Sequence, residues 1–165
     1  MGEKVLNILV LCTGNSARSL IGEALLNHLG GGRIKAHSAG SHPAGAPHPD
    51  ALAVLRDHGV PAEDLRSKHW EEFSVPGAPG MDVVLTVCDR AASEVCPVWP
   101  GAPVACHWGL PDPAAATDDP AARRAAFEET FRVIERRVRR LVESGLEGLS
   151  AGGLAARLTA ADDTR

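Results

Sequence analysis

A chain of 165 residues, 44% hydrophobic and 23% charged, has the size and make-up of one globular domain with an adequate core. A net charge of −4 argues against the basic surface that nucleic-acid binding needs, and no apolar stretch approaches the length of a membrane span. Met1-Gly2-Glu3-Lys4 lacks a signal-peptide layout, so a cytoplasmic address is expected, where four cysteines serve catalysis or metal binding more readily than a disulfide framework.

The first predicted element is a buried strand, Val5-Leu6-Asn7-Ile8-Leu9-Val10-Leu11. It runs into Cys12-Thr13-Gly14-Asn15-Ser16-Ala17-Arg18-Ser19, where a cysteine and an arginine bracket five small residues. Helical periodicity follows, with Leu20, Ile21, Ala24, Leu25 and Leu29 on one face and Gly30-Gly31-Gly32 as the stop. The run therefore joins a strand's carboxyl end to a helix N-terminus, where unpaired N–H groups and the helix dipole favour an anion. Small residues let the backbone curl into a nest of donors around one tetrahedral oxyanion, and Arg18 can add a bidentate fork. The same positive field favours a thiolate at Cys12, which makes a nucleophile beneath a bound oxyanion. The alternative is a small buried residue at a strand end with a solvated first-turn charge; it requires spacing, residue size and context to coincide by chance.

Arg33 to Ser38 reads as a short second strand. Pro43, Pro47 and Pro49 mark a loop that ends at a helix from about Asp50 to His58. Asp82-Val83-Val84-Leu85-Thr86-Val87 is another buried strand, and Pro103-Val104-Ala105-Cys106-His107 a fourth. A long amphipathic helix spans about Pro120 to Glu143, with Phe127, Phe131, Ile134, Val138 and Leu141 as its apolar stripe. Alternating strands and helices predict a single α/β domain: a four-stranded parallel sheet with helices on both faces and its ligand at the strands' carboxyl ends. Residues 1–144 form that domain. Residues 145–165 are set apart as a C-terminal extension, on which Leu149, Leu154 and Leu158 fit a short helix but loose attachment is favoured.

Two further features carry chemistry. Cys88 leaves the strand ending at Val87, and Cys96 follows across a segment that reads as either a short helix or a mobile loop. Bending of that segment would let the two thiols pair; the alternatives are two buried small hydrophobes, or a zinc site with Cys106 and His107 that lacks a CxxC spacing. In His107-Trp108-Gly109-Leu110-Pro111-Asp112-Pro113-Ala114, Asp112 lies between two prolines. It suits a proton donor to a leaving oxygen, or an Asp that caps a turn.

Together these segments resemble the thioredoxin-coupled arsenate reductases, which share the fold of low-molecular-weight protein tyrosine phosphatases. The resemblance covers about residues 4–143 and rests on Cys12–Ser19, His37-Ser38-Ala39-Gly40, Leu85-Thr86-Val87-Cys88 with Cys96-Pro97, and His107-Trp108-Gly109 with Asp112-Pro113-Ala114. The cysteine pair separates reductase from phosphatase, as does Ala114, where the phosphatases carry the tyrosine of an Asp-Pro-Tyr; this chain contains no tyrosine. The resemblance implies that Thr13, Gly14, Asn15, Ser16, Ala17, Arg18 and Ser19 bind the oxyanion, that Cys12 attacks arsenate, and that Asp112 protonates the departing hydroxide. It implies that Cys88 then forms a disulfide with Cys12, that Cys96 takes over Cys88, and that thioredoxin reduces the pair; glutaredoxin or a small thiol is the alternative reductant, and a tyrosine phosphatase the alternative function. Phosphate and sulfate would compete for the loop, weak phosphatase activity would persist, and no organic cofactor or catalytic metal is implied. Ser19 resembles the hydroxyl that steadies the nucleophilic thiolate. Some members bind potassium beside the loop; Asn15, Glu23, Ser38 and Ser67 fit that site, whereas His69 stands where a carboxylate is usual. Cys106 has no family role and is expected as a buried strand thiol.

Overall fold

The computed structural model describes residues 5–88, 103–115, 117–146 and 150–162. Strands β1 (Leu6–Leu11), β2 (Ile34–Ala39), β3 (Val83–Thr86) and β4 (Val104–His107) form one parallel sheet in the order β2-β1-β3-β4. The helices are α1 (Arg18–Gly30), α2 (Pro49–Asp57), α3 (Pro120–Glu143) and α4 (Ala151–Ala161), with single 3₁₀ turns at Trp70–Phe73 and Pro113–Ala115. β1 pairs with β2 from Leu6 opposite Ile34 to Leu11 opposite Ala39, and with β3 from Ile8 opposite Val83 to Leu11 opposite Thr86. The chain leaves β1 in one direction and later returns to its other side. β1 is thus the point where the strand order reverses, and its carboxyl end opens the crevice where such sheets bind ligands.

The period-two alternation of a strand sorts β1 between two cores. Ile8 and Val10 face a large cluster with Leu25, Leu55, Phe127, Phe131 and Val138, which α1, α2 and α3 supply. Leu9 and Leu11 face a smaller one with Trp70, Phe73, Met81 and Val84. Helix α1 ends as its glycines predict, with Gly31 in the left-handed region at φ 58°. Its burial is wider than one face: Leu20, Gly22 and Leu26 are enclosed along with Ile21 and Leu25. A helix wedged between a sheet and a second helix layer has no solvated stripe for periodicity to mark.

Two expectations need correcting. The C-terminal extension is not loosely attached. Ser150 caps α4 by accepting from the Gly153 N–H, Leu158 and Ala161 are buried in the main cluster, and the Trp108 indole donates to the Leu158 carbonyl at 2.9 Å. Burying Leu158 alone is worth about 1.5–3 kcal/mol. Cys106 is only half-buried, because β4 is the sheet's edge; its thiol is pushed above the ordinary value, first by burial. The segment 89–95 and Cys96 lie outside the described residues.

Candidate active site

The run from Cys12 to Ala17 leaves the end of β1 and enters α1 at Arg18. Its carbonyls are drawn outward by the loop that follows β2. Thr13 O accepts from the His42 N–H at 2.9 Å, Gly14 O from Ala44 at 2.9 Å, and Ser16 O from His48 at 2.8 Å. In a planar trans peptide the N–H opposes the C=O. Three outward carbonyls therefore turn the amides of Gly14, Asn15 and Ala17 toward the inside of the curl. The Asn15 N–H follows this rule and donates to Cys12 Sγ at 3.2 Å. Helix α1 has no side-chain cap, so its first amides stay available on the same side.

Asn15 is the hub. It is fully buried and, among the described residues, the only non-glycine residue with positive φ, at 44°. That conformation costs about 1 kcal/mol and needs external support. Its side-chain amide donates to Ser19 Oγ at 2.8 Å and Ser38 Oγ at 3.0 Å, while its Oδ1 accepts from the Lys68 N–H at 2.8 Å. Ser19 Oγ thus already accepts a bond, which leaves its proton for Cys12 Sγ 2.9 Å away. The sulfur thus has the Ser19 hydroxyl and the Asn15 N–H as its two polar neighbours. Cys12 itself is 3% exposed and forms part of the cavity floor.

That cavity holds about 880 Å³ and is lined by Cys12 to Gly14, Ser16 to Arg18, Cys88, and the segment from Gly109 to Asp112. Arg18 Nη1 donates to the Leu110 carbonyl at 3.0 Å, and Nη2 stands 3.8 Å from Asp112 Oδ2. Asp112 caps a turn, as one of its two readings has it: Oδ1 accepts from the Ala114 N–H at 3.0 Å, and Oδ2 is the oxygen that stands near Arg18. Cys88 opens on the same space, with Thr13 Oγ1 3.7 Å from its sulfur.

Beneath the loop lies a charge pair that sequence reasoning missed. Ser38 Oγ donates to Glu23 Oε1, and the Lys68 ammonium, buried in the same place, stands 3.6 Å from that oxygen. Asn15, Glu23 and Ser38, the residues that fit the potassium site of the resembling family, are here joined in one network: Asn15 donates to Ser38, Ser38 to Glu23, and Asn15 and Glu23 both meet Lys68. Ser67 Oγ donates to the Gly14 carbonyl, and His69 Nδ1 caps the 3₁₀ turn by accepting from Glu71 N. The donor set does not fit a potassium ion, because the chain's own cation already faces Glu23. Among the described residues no group of three His, Cys, Asp or Glu side chains is placed to hold a metal.

Burial raises the Glu23 carboxyl above its ordinary 4.5, with Lys68 opposing, and burial lowers the Lys68 amine, with Glu23 opposing. A raised carboxyl pKa means that the folded state keeps the proton to higher pH than the unfolded chain does. Its stabilising contribution is complete below 4.5 and is lost as pH rises through the folded-state value. The difference in unfolding free energy between the native chain and Glu23→Gln is expected to fall as pH rises above 4.5, as measured by urea titration at a series of pH values. A pH-independent difference would overturn this assignment.

Comparison with known proteins bears on this arrangement. Residues 7–150 match the family profile described as low molecular weight phosphotyrosine protein phosphatase. The chain is 32% identical over 145 residues to an arsenate reductase of Halalkalibacterium halodurans, an alignment covering 88% of this chain and 99% of the relative. Among solved structures it resembles a thioredoxin-dependent arsenate reductase of Corynebacterium glutamicum, with a TM-score of 0.62 and 29% identity over 87% of this chain and 63% of that one. An arsenate reductase in its phosphate-binding state shares the fold at a TM-score of 0.69 and 24% identity, over 85% of this chain and 98% of that one. The described helix α4 starts at Ala151, beyond the matched span. The chain belongs to the low molecular weight phosphotyrosine protein phosphatase family, and its relatives there include bacterial arsenate reductases.

Proposed function

We propose that the protein reduces arsenate to arsenite through Cys12, Cys88 and Cys96, with thioredoxin as the reductant. The observation that carries this reading is the opening of two buried thiols, Cys12 and Cys88, on one cavity floored by a loop of amides and Arg18. A phosphatase needs the first thiol alone; a reductase needs the second within reach of the first.

Arsenate binds to the loop amides and the Arg18 fork, its oxygens replacing lost water with oriented donors. The Cys12 thiolate attacks arsenic, an As–O bond breaks, and Asp112 gives the departing hydroxide a proton to leave as water. The Cys88 thiolate then attacks Cys12 Sγ. A sulfur–sulfur bond forms, the Cys12–arsenic bond breaks, and its electron pair stays on arsenic, which leaves as arsenite. Cys96 attacks Cys88 and frees Cys12, and a dithiol reductant returns Cys88–Cys96 to thiols. The protein works in the cytoplasm, where thioredoxin keeps such pairs reduced. Phosphate undergoes the first displacement, so slow hydrolysis of small aryl phosphates accompanies the main reaction.

The test is trapping. Cys88→Ser is expected to stop after arsenate bonds to Cys12, with no arsenite released. Cys96→Ser is expected to give about one turnover per protein and to end at a Cys12–Cys88 disulfide. Mass spectrometry of arsenate-treated protein digested without reductant locates the bond. Turnover of Cys96→Ser at the native rate with thioredoxin would overturn the third-thiol assignment, and turnover only with glutathione and glutaredoxin would replace the reductant.

A further inference from the structure

His107 and the residues from Gly109 to Asp112 line the same cavity as Cys12, and residues from the C-terminal part of the chain hold this segment at two points. Trp108, 1% exposed, donates its indole N–H to the Leu158 carbonyl of α4 at 2.9 Å. Arg137 of α3, 3% exposed, donates to the Gly109 carbonyl at 3.4 Å and pairs with Asp162 Oδ1 at 3.2 Å; Asp162 follows α4 and reaches the cavity lining. The very next residues grip Arg18: Leu110 through its carbonyl and Asp112 through its carboxylate. Pro111 and Pro113 fix φ on either side of Asp112, so a shift imposed at Gly109 is transmitted more than absorbed. A guanidinium binds an oxyanion bidentately only if its plane is held, and tilting it forfeits one of two bonds.

We propose that Arg137 and Asp162 are positioning residues for Arg18, acting with Trp108 and helix α4 through the Gly109–Asp112 segment to set the site's oxyanion affinity. The inference rests on the anion-loop reading of Cys12 and Arg18, and it gives α4, which lies past the span shared with the family, a part in the site. Pairing also matters for charge. An unpaired Asp162 carboxylate in the lining would repel the ligand, and Arg137 cancels it.

The test is protection of Cys12 from iodoacetamide by inorganic phosphate, followed at the Cys12 peptide by mass spectrometry well below the melting temperature; it requires no turnover. Asp162→Asn and Trp108→Phe are each expected to weaken protection by about tenfold, because misplacing a clamp by a fraction of an ångström costs affinity on this order. Asp162→Glu is expected to restore most of it. In steady state with arsenate, the loss is expected in KM before kcat. A merely structural role would lower the melting temperature and leave protection unchanged. Native-like protection in both variants, or tighter binding in Asp162→Asn because a bare Arg137 attracts the anion, would overturn the proposal. If the native chain itself is not protected by phosphate, the anion-loop reading fails and the inference falls with it.

Discussion

Cys12→Ser is expected to lower arsenate reduction by more than about a thousandfold while leaving the fold intact, since loss of a covalent nucleophile removes the first bond-making step. The substitution is nearly isosteric, and the amides, Arg18 and the Asn15 network remain in place. A serine hydroxyl at this site is still met by Ser19 and the Asn15 N–H, but it ionises far less readily than a thiol and cannot form the disulfide that reduces arsenic. Arsenite release by the purified variant, quantified with thioredoxin oxidation, is the measurement. Turnover above a few per cent of the native rate would remove Cys12 from the reaction. Circular dichroism and an unchanged thermal midpoint separate lost chemistry from lost structure.

Gly40→Ala is expected to disable the site by a different route. A Cβ at Gly40 would lie 2.3 Å from the Thr13 carbonyl oxygen and 2.7 Å from that of Cys12, and both neighbours are backbone. Neither can rotate away, so the end of β2 or the loop must move. The conformation of Gly40 is ordinary, so the clash is the whole effect. A destabilisation of about 1–3 kcal/mol is expected from overpacking. Loss of phosphate protection at Cys12 is expected to reach about a hundredfold, because the displaced atoms are those that orient the loop. Urea unfolding and the alkylation assay read the two consequences separately, and unchanged protection would show that the close approach does not set the loop.

Both predictions begin in residues that were legible to different degrees. The strands, the glycine stop of α1 and the span of α3 announced themselves because each is a periodic run between strong punctuators. The placement of Cys12 and Arg18 was legible because it is local: spacing and position between a strand and a helix put both on one cavity. Lys68 was not, since a lysine in an unpatterned loop gives no hint that it will be buried against Glu23, 45 positions earlier in the sequence. The role of Gly40 was equally silent, because an approach between two backbones has no signature in either segment alone. The attachment of α4 escaped for a related reason. A short helix there was legible, but what fixes it to the domain is an indole and a guanidinium far away in the sequence. Cys106 was misjudged because hydropathy reports a strand and not whether that strand is the sheet's edge.

The uncapped start of α1 has one more consequence. At most helix starts a serine, threonine or aspartate accepts from the first amides; here Ala17 occupies that place and contributes no such bond. Under the proposed function, a tetrahedral anion in the loop would stand where a capping side chain usually does, so ligand occupancy and the integrity of this helix would be two readings of one equilibrium. A residue that finished the helix internally, such as aspartate at position 17, would make the empty protein sturdier and the enzyme worse, by letting the chain serve as its own ligand. The fold is left underbuilt at the doorway of its chemistry, and evolution toward greater robustness must seek its gains elsewhere in the molecule.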